Sequence, residues 1–414
     1  MHSNYLVQTE EGIDLAELFE AYADCRKNKR NTMSALAFEL DYENQLIALW
    51  REINEGTYQL GRSMAFIIDK PVKREIFTAD FRDRVVHHLV INKLNPLFER
   101  LFIKDSYACR KGKGTKAGIL RAAHFIRRCS VNYTKDCFIL KMDIQGFFMA
   151  IDKGTLWHKL RDFIKQCYLG DDLELLLFLC HQILKNNPTK NCLIKGSRKD
   201  WRGLPPDKSL FYSRPNCGLP IGNLASQIFA NFYMNSFDHF MKHDLGLRYY
   251  GRYVDDILLV HQDKEYLKAL IPIISEFLSV KLKLTLHPRK IYLQHYIKGV
   301  AFLGMHVKPH RIFSGKRLKG NFYNAIMLHN KLIQEHKPTK EDQLAFLCSM
   351  NSYLGIMKHY NTYKWRKKML IKYVSIWWWN LMYCSGGCAK MTLKMRKARK
   401  TKRTKPSSPS SLKS

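Results

Sequence analysis

The chain has 414 residues and carries 69 Lys and Arg against 36 Asp and Glu, a formal net charge of +33. A field of that sign and size favours a polyanion, and counterion release makes nucleic acid the expected partner ahead of a membrane surface. The most apolar late run, residues 374–384, is too short to cross a bilayer, residues 1–30 hold no apolar signal-peptide core, and the eleven cysteines are scattered, so neither a membrane protein nor a disulfide-framed secreted one is expected, and a cytoplasmic location is.

In chain order, residues 13–50 set Leu15, Leu18 and Phe19, then Ala35, Leu36, Phe38 and Leu40, at helical spacing and predict an amphipathic lead-in. Residues 58–81 change character: β-favouring Phe66, Ile67 and Ile68 stand beside Lys70, Pro71, Lys73 and Arg74, the pattern of a short hairpin carrying cations. Residues 81–101 are again helical, and 138–144 form an apolar strand that runs into Asp143. Residues 156–183 predict a helical pair broken near Gly170, and 185–217, polar and rich in Pro and Lys, a connection with little regular structure. One long helix is expected over 225–243, a hairpin from the apolar runs 247–254 and 257–260, a helix over 265–280, and helices throughout 323–378. Residues 390–414 are basic, then rich in Ser and Pro, and are expected to be disordered unless they bind nucleic acid. Cys384 and Cys388 flank Ser-Gly-Gly like half a zinc site, but no second ligand pair follows, so zinc is not expected.

The hairpin tip holds the most informative residues. Tyr253-Val254-Asp255-Asp256 sets two carboxylates side by side, and because strand residues alternate faces, only a tight turn lets both approach one point. Like charges there repel unless a cation lies between them. Asp143, at the end of a strand able to lie beside the hairpin, supplies a third carboxylate. Three carboxylates from two neighbouring strand ends make a site for two magnesium ions and nucleotidyl transfer. Alone, a Tyr-x-Asp-Asp string is a solvated turn in many proteins; the ordered spacing of further motifs argues against that here.

Those motifs are Lys-Met-Asp143-Ile-Gln-Gly-Phe-Phe, then Gly218-Leu-Pro-Ile-Gly-Asn-Leu-Ala-Ser-Gln227, then Tyr253 to Asp256. Their order over residues 58–368 resembles the reverse transcriptases, and among them those of diversity-generating retroelements. The resemblance implies an α+β right-hand polymerase: an N-terminal helical extension (1–57), fingers (58–142), a palm of antiparallel sheet flanked by helices (143–310, with 185–217 contributing to the fingers), a helical thumb (311–389) and a basic tail (390–414).

It also implies roles. Asp143 and Asp255 become the core metal ligands with the Ile144 carbonyl, Asp256 has a weaker part beside them, and Lys290 is a candidate proton donor to pyrophosphate, although by itself it reads equally as a surface lysine. Lys70, Lys73 and Arg74 fall where the fingers hairpin grips a triphosphate, with Arg74 the best match to phosphate oxygens because its fork bonds bidentately. Arg110 and Lys111, in the Gly-rich turn 106–115, and Asn223 fall on the template and primer, as do Phe302, Leu303 and Gly304 of a primer-grip hairpin. Phe148, five residues after Asp143, stands where an aromatic ring excludes a 2′ hydroxyl, although by default an aromatic there is core packing. Ile221 and Gly222, with Gln227, face the nascent base pair; most of the family has glutamine at Ile221, and the retroelement group shares this Ile-Gly-Asn and Ser226-Gln227 form. The implied cofactor is a pair of Mg2+ ions, with Mn2+ as a substitute. The implied partners are template RNA, the RNA–cDNA duplex, deoxynucleoside triphosphates and a basic, oligomeric accessory variability protein. The rivals are a group II intron or retron enzyme, an RNA-dependent RNA polymerase, and a non-catalytic RNA-binding scaffold.

Overall fold

The computed structural model describes residues 12–27, 32–69 and 72–394. The chain divides into two compact units, Met1–His310 and Arg311–Ser414. Lys70 and residues 395–414 lie outside the described residues.

The strands of the first unit, in chain order, are β1 (Met64–Ile68), β2 (Arg74–Thr78), β3 (Phe138–Met142), β4 (Leu193–Ile194), β5 (Tyr250–Tyr253), β6 (Asp256–His261), β7 (Tyr292–His295), β8 (Val300–Phe302) and β9 (Met305–Lys308). Helices Leu15–Arg26, Met33–Glu39 and Tyr42–Asn54 precede them; the first two pack on the 21-residue helix Phe81–Leu101, with Tyr22 and Phe38 against Phe81, and the third joins the same core through Leu46, Leu49 and Ile53. That long helix is started by Asp80, whose carboxylate accepts from the Arg82 N–H and satisfies one of its free first-turn donors.

The central sheet runs β5-β6-β3-β7 and is antiparallel throughout, with Met142 opposite Ile257 and Lys141 opposite Tyr292. Period-two alternation decides its two faces. Leu140, Met142, Ile257 and Leu259 join the main core together with Ile274 and Leu278 of the helix Lys264–Leu282. Lys141 and Asp256 therefore fall on the opposite face, where an ionised group is affordable.

Two connections differ from the sequence expectation. Residues 185–217 carry β4, which pairs in parallel with β1, and several short 3-10 turns. Their order comes from a buried carboxylate on β2: Glu75 accepts from Trp201 Nε1 (2.6 Å), Ser209 Oγ (2.7 Å) and the Leu210 N–H (2.5 Å). The expected single helix over 225–243 is divided into Leu224–Tyr233, Asn235–His239 and a π-helical turn Phe240–Asp244. The wider turn stacks Phe240 on Phe277 and lets Lys242 reach Asp105.

The second unit holds β10 (Arg311–Ser314), helices Lys316–Glu335, Lys340–Met357, Tyr363–Tyr373 and Ile376–Leu381, and a closing hairpin of β11 (Met382–Ser385) and β12 (Lys390–Leu393). That last strand corrects the expectation of disorder from residue 390 on: Gly386, Gly387 and Cys388 all take positive φ, which turns the chain back and buries Met391. Phe346 and Trp378 stack at 4.1 Å and 2° in the centre of this core. Phe346→Ala should lower the unfolding free energy of this unit by about 3–5 kcal/mol. Thermal unfolding should show a much smaller change, under about 0.5 kcal/mol, for Leu344→Ala on the exposed side of the same helix.

Candidate active site

β3 delivers Asp143 and then Ile144, which makes an isolated antiparallel bridge to Leu286. The bonds of that bridge belong to the neighbours, Gln145 N–H to Thr285 O (2.9 Å) and His287 N–H to Asp143 O (2.8 Å). Ile144's own carbonyl is thereby directed away from Leu286 and left as an oxygen donor beside Asp143. β5 and β6 are joined by the two-residue turn Val254-Asp255, with Tyr253 opposite Asp256. Val254 has φ 56°, a region that hairpin turns usually fill with glycine and that costs a β-branched residue about 1–3 kcal/mol.

β3 lies against β6, so the three carboxylates sit on neighbouring strand ends. Burial, then the charges of Asp256 and Asp143, push Asp255 up to about 6, with Lys290 acting in the opposite sense. Two lysines offset part of this repulsion. Lys290 Nζ lies 2.9 and 3.0 Å from the two Asp143 oxygens, and Lys141 Nζ lies 2.9 Å from Asp256 Oδ1. Among the described residues, no three His, Cys, Asp or Glu side chains are grouped to hold an ion by themselves. The donors that Asp143, Asp255 and Ile144 offer are nonetheless hard oxygens. They suit Mg2+, which keeps ligands from water or substrate phosphate rather than requiring an all-protein cage.

The surrounding expected residues separate into those the structure brings toward this centre and those it uses elsewhere. Phe148, in the short helix Phe147–Ala150, is half-buried and packs with Ile221 around Ala65, Phe77, Met149 and Leu210. The loop bearing Ile221 is laced to β2: the Phe77 N–H donates to the Ile221 carbonyl (2.8 Å). A Cβ on Gly222, at φ 129°, would stand 2.7 Å from the Phe77 carbonyl oxygen. Gln227 is exposed and accepts from Cys109 Sγ at 3.2 Å. Arg74 is exposed, and its charge reaches the Tyr253 hydroxyl, which burial raises and Arg74 lowers. Lys73 is tied to the Arg202 carbonyl at 2.8 Å.

Three residues expected on nucleic acid have contacts within the protein itself. Arg110 has a side chain only 6% exposed, paired with Glu99 and donating to the Ile103 and Ser106 carbonyls, so it braces its own turn and leaves Lys111 as the exposed cation. Asn223 is buried and accepts from the Ala79 N–H (2.9 Å), which fixes the loop rather than a template. Phe302 is core; the turn residues Leu303 and Gly304, both at positive φ, are what that hairpin presents. Sequence reasoning assigned no role to Lys141, whose place on the Asp143 face follows from alternation. It also missed Arg252, an arginine directly before the acidic turn that is fully buried.

A family model described as reverse transcriptase (RNA-dependent DNA polymerase) matches residues 69–307, more than half of the chain. The chain belongs to the reverse transcriptase family. In that family's terms the fold is an α+β right-hand polymerase of mixed helices and antiparallel sheet. No curated protein matches the chain. Among solved structures, an apo telomerase from Candida tropicalis truncated from its C-terminal domain is 14% identical with a TM-score of 0.45, covering 61% of this chain and 55% of its own. A Candida albicans telomerase in complex with a fragment of telomeric RNA is 14% identical with a TM-score of 0.44, covering 82% and 60%. The chain thus spans little more than half the length of these telomerases.

The raised Asp255 carboxyl has a thermodynamic consequence. An unfolded aspartate titrates near 3.9, so between roughly pH 4 and 6 the native reverse transcriptase binds more protons than the unfolded chain. Stability therefore falls as pH rises through that window, and the penalty is fully present above it. Asp255→Asn should raise the metal-free melting temperature at pH 7.5 by the equivalent of about 1–2 kcal/mol, with the gain shrinking at pH 4.5. Magnesium should stabilise the parent protein and leave the variant nearly unmoved in the same thermal scans.

Proposed function

We propose that this reverse transcriptase is an RNA-directed DNA polymerase that copies a retroelement template RNA into error-prone cDNA, with substitutions chiefly at template adenines, for targeted gene diversification. The observation that carries the polymerase reading is the convergence of Asp143, Asp255 and Asp256 on adjoining strand ends, with Asp255 raised first by burial and then by its two neighbours. In the reaction, Asp143, Asp255 and the Ile144 carbonyl would hold the divalent cations with Asp256 beside them, and Lys290, whose Nζ lies 2.9 Å from Asp143, is the candidate proton donor to the leaving pyrophosphate. Magnesium, or manganese in its place, supplies Lewis acidity that activates the primer 3′ hydroxyl and stabilises the leaving group. Arg74 and Lys73, with Lys70 beside them in sequence, take the triphosphate charge. Phe148 closes the pocket against a 2′ hydroxyl, which selects deoxynucleotides and disfavours an RNA-polymerase reading.

The narrower assignment rests on Ile221. An aliphatic side chain packed among Phe77, Met149 and Leu210 offers no hydrogen bond to the nascent base pair, so checking of base geometry weakens. The alternative within the family is a group II intron or retron enzyme, of which the intron type would carry glutamine there. The template RNA and RNA–cDNA duplex are met by the thumb, whose helix Tyr363–Tyr373 exposes Lys364, Lys367, Lys368 and Lys372 while Arg366 is held inside by Thr362. The resemblance adds a basic oligomeric accessory protein as partner. Eleven scattered cysteines fit action in the cytoplasm, and no helix among the described residues is long and apolar enough to cross a membrane.

Primer extension on an RNA template tests the reading directly. Magnesium-dependent incorporation of deoxynucleotides should fall to background in Asp255→Ala; extension that survives in the variant refutes it. Phe148→Ala should admit ribonucleotides in a single-addition assay without abolishing deoxynucleotide use. Ile221→Gln should lower misincorporation opposite template adenine, read by sequencing the cDNA, and an unchanged error spectrum would remove Ile221 as the determinant.

A further inference from the structure

Arg252 is the only charged residue among the largest fully buried side chains of the described structure, and its hydrogen bonds divide into two sets. The first neutralises its charge: Nε lies 2.7 Å and Nη2 2.5 Å from the two oxygens of Asp238, itself fully buried. Tyr250 donates to the same carboxylate, and Nη2 also reaches Asn231 Oδ1 at 3.0 Å. Asn231 and Asp238 stand on the successive helices Leu224–Tyr233 and Asn235–His239, the first of which begins directly after the loop of Ile221 and Gly222. The second set is a single bond. Nη1, which the ion pair does not need, donates at 2.9 Å to the carbonyl of Val254, the left-handed residue of the acidic turn.

Backbone bonds make this platform rigid. The Arg252 N–H donates to the Asp105 carbonyl (2.9 Å), and its carbonyl accepts from the Tyr107 N–H (3.0 Å), so residues 105–107 lie along the outer edge of β5. A fixed arginine thus holds one end of a strained two-residue turn whose other residue is Asp255.

We propose that Arg252 is a positioning residue for catalysis: through its Nη1 bond to Val254 it fixes the turn and so the aim of the Asp255 carboxylate. The inference rests on the polymerase reading for what Asp255 does. A planar fork is needed for it, because a lysine keeps the charge against Asp238 but cannot also reach Val254 in a second direction. Glycine at 254 would hold the same turn without steric resistance and so depend less on the arginine.

The test compares Arg252→Lys, the charge-free pair Arg252→Gln with Asp238→Asn, Val254→Gly, and Arg252→Lys with Val254→Gly in the full chain. Each is assayed by single-nucleotide extension and, without nucleic acid, by luminescence of bound terbium as a metal probe. Folded Arg252→Lys should lose about 100-fold in kcat, as a displaced catalytic group does, with KM for the nucleotide little changed, a higher magnesium half-saturation and weaker terbium binding. Val254→Gly should restore part of the loss in the lysine background. If Arg252→Lys fails to fold, the charge-free pair carries the same expectation. A folded variant with parental kcat and metal response, or a kcat loss with unaltered metal binding and no coupling to position 254, overturns the proposal. A parent protein that binds terbium yet extends no primer overturns the polymerase reading instead, and the terbium arm still judges Arg252.

Discussion

Carboxylates do not share a small, partly desolvated volume without positive charge between them, and much of this molecule is arranged around that fact. Asp143, Asp255 and Asp256 are forced together by covalent turn geometry on one side and by the β3–β6 register on the other. Burial and then this repulsion raise the Asp255 carboxyl, and two lysines pair with its neighbours. A centre so arranged favours a divalent cation over any monovalent partner, since only the former answers two carboxylates at once.

The sheet makes this tolerable. Strand alternation sends Leu140, Met142, Ile257 and Leu259 into the main core and leaves the opposite face to Lys141 and Asp256, so burial of apolar area and display of charge are produced by the same few residues. The strained turn is held by Arg252 of β5, which bonds the Val254 carbonyl, and behind it by the Asp238 carboxylate, fully removed from solvent. Removing one partner of such a pair leaves an uncompensated buried charge, which is why this element is costly to alter even though it touches no substrate.

How far the sequence made this legible depended on the kind of interaction. The strand into Asp143 and the acidic hairpin are short-range patterns of apolar alternation and turn chemistry, and they could be read residue by residue. The order of residues 185–217 could not, because it depends on Glu75, 126 residues before Trp201, and leaves no local periodicity. Asn223 and Arg110 carry the residue types that contact nucleic acid, yet their capacity is taken up by Ala79, 144 residues away, and by Glu99 with two nearby carbonyls. A polar side chain announces that it will be bonded, not to what. Arg252 was hidden for the opposite reason: in a strand an arginine reads as surface, and only the fold shows the acid that meets it.

The bond from Phe77 to Ile221, with Gly222 pressed against the same strand, joins the loop that we propose faces the nascent base pair to β2, the strand whose first residue is Arg74. The two share one backbone ladder and have no flexible joint between them. Under the roles proposed for these residues, accuracy and affinity are not independent dials: a change at position 221 also perturbs the strand that begins with Arg74, and compensation for either is to be sought along β2 and not around the acids.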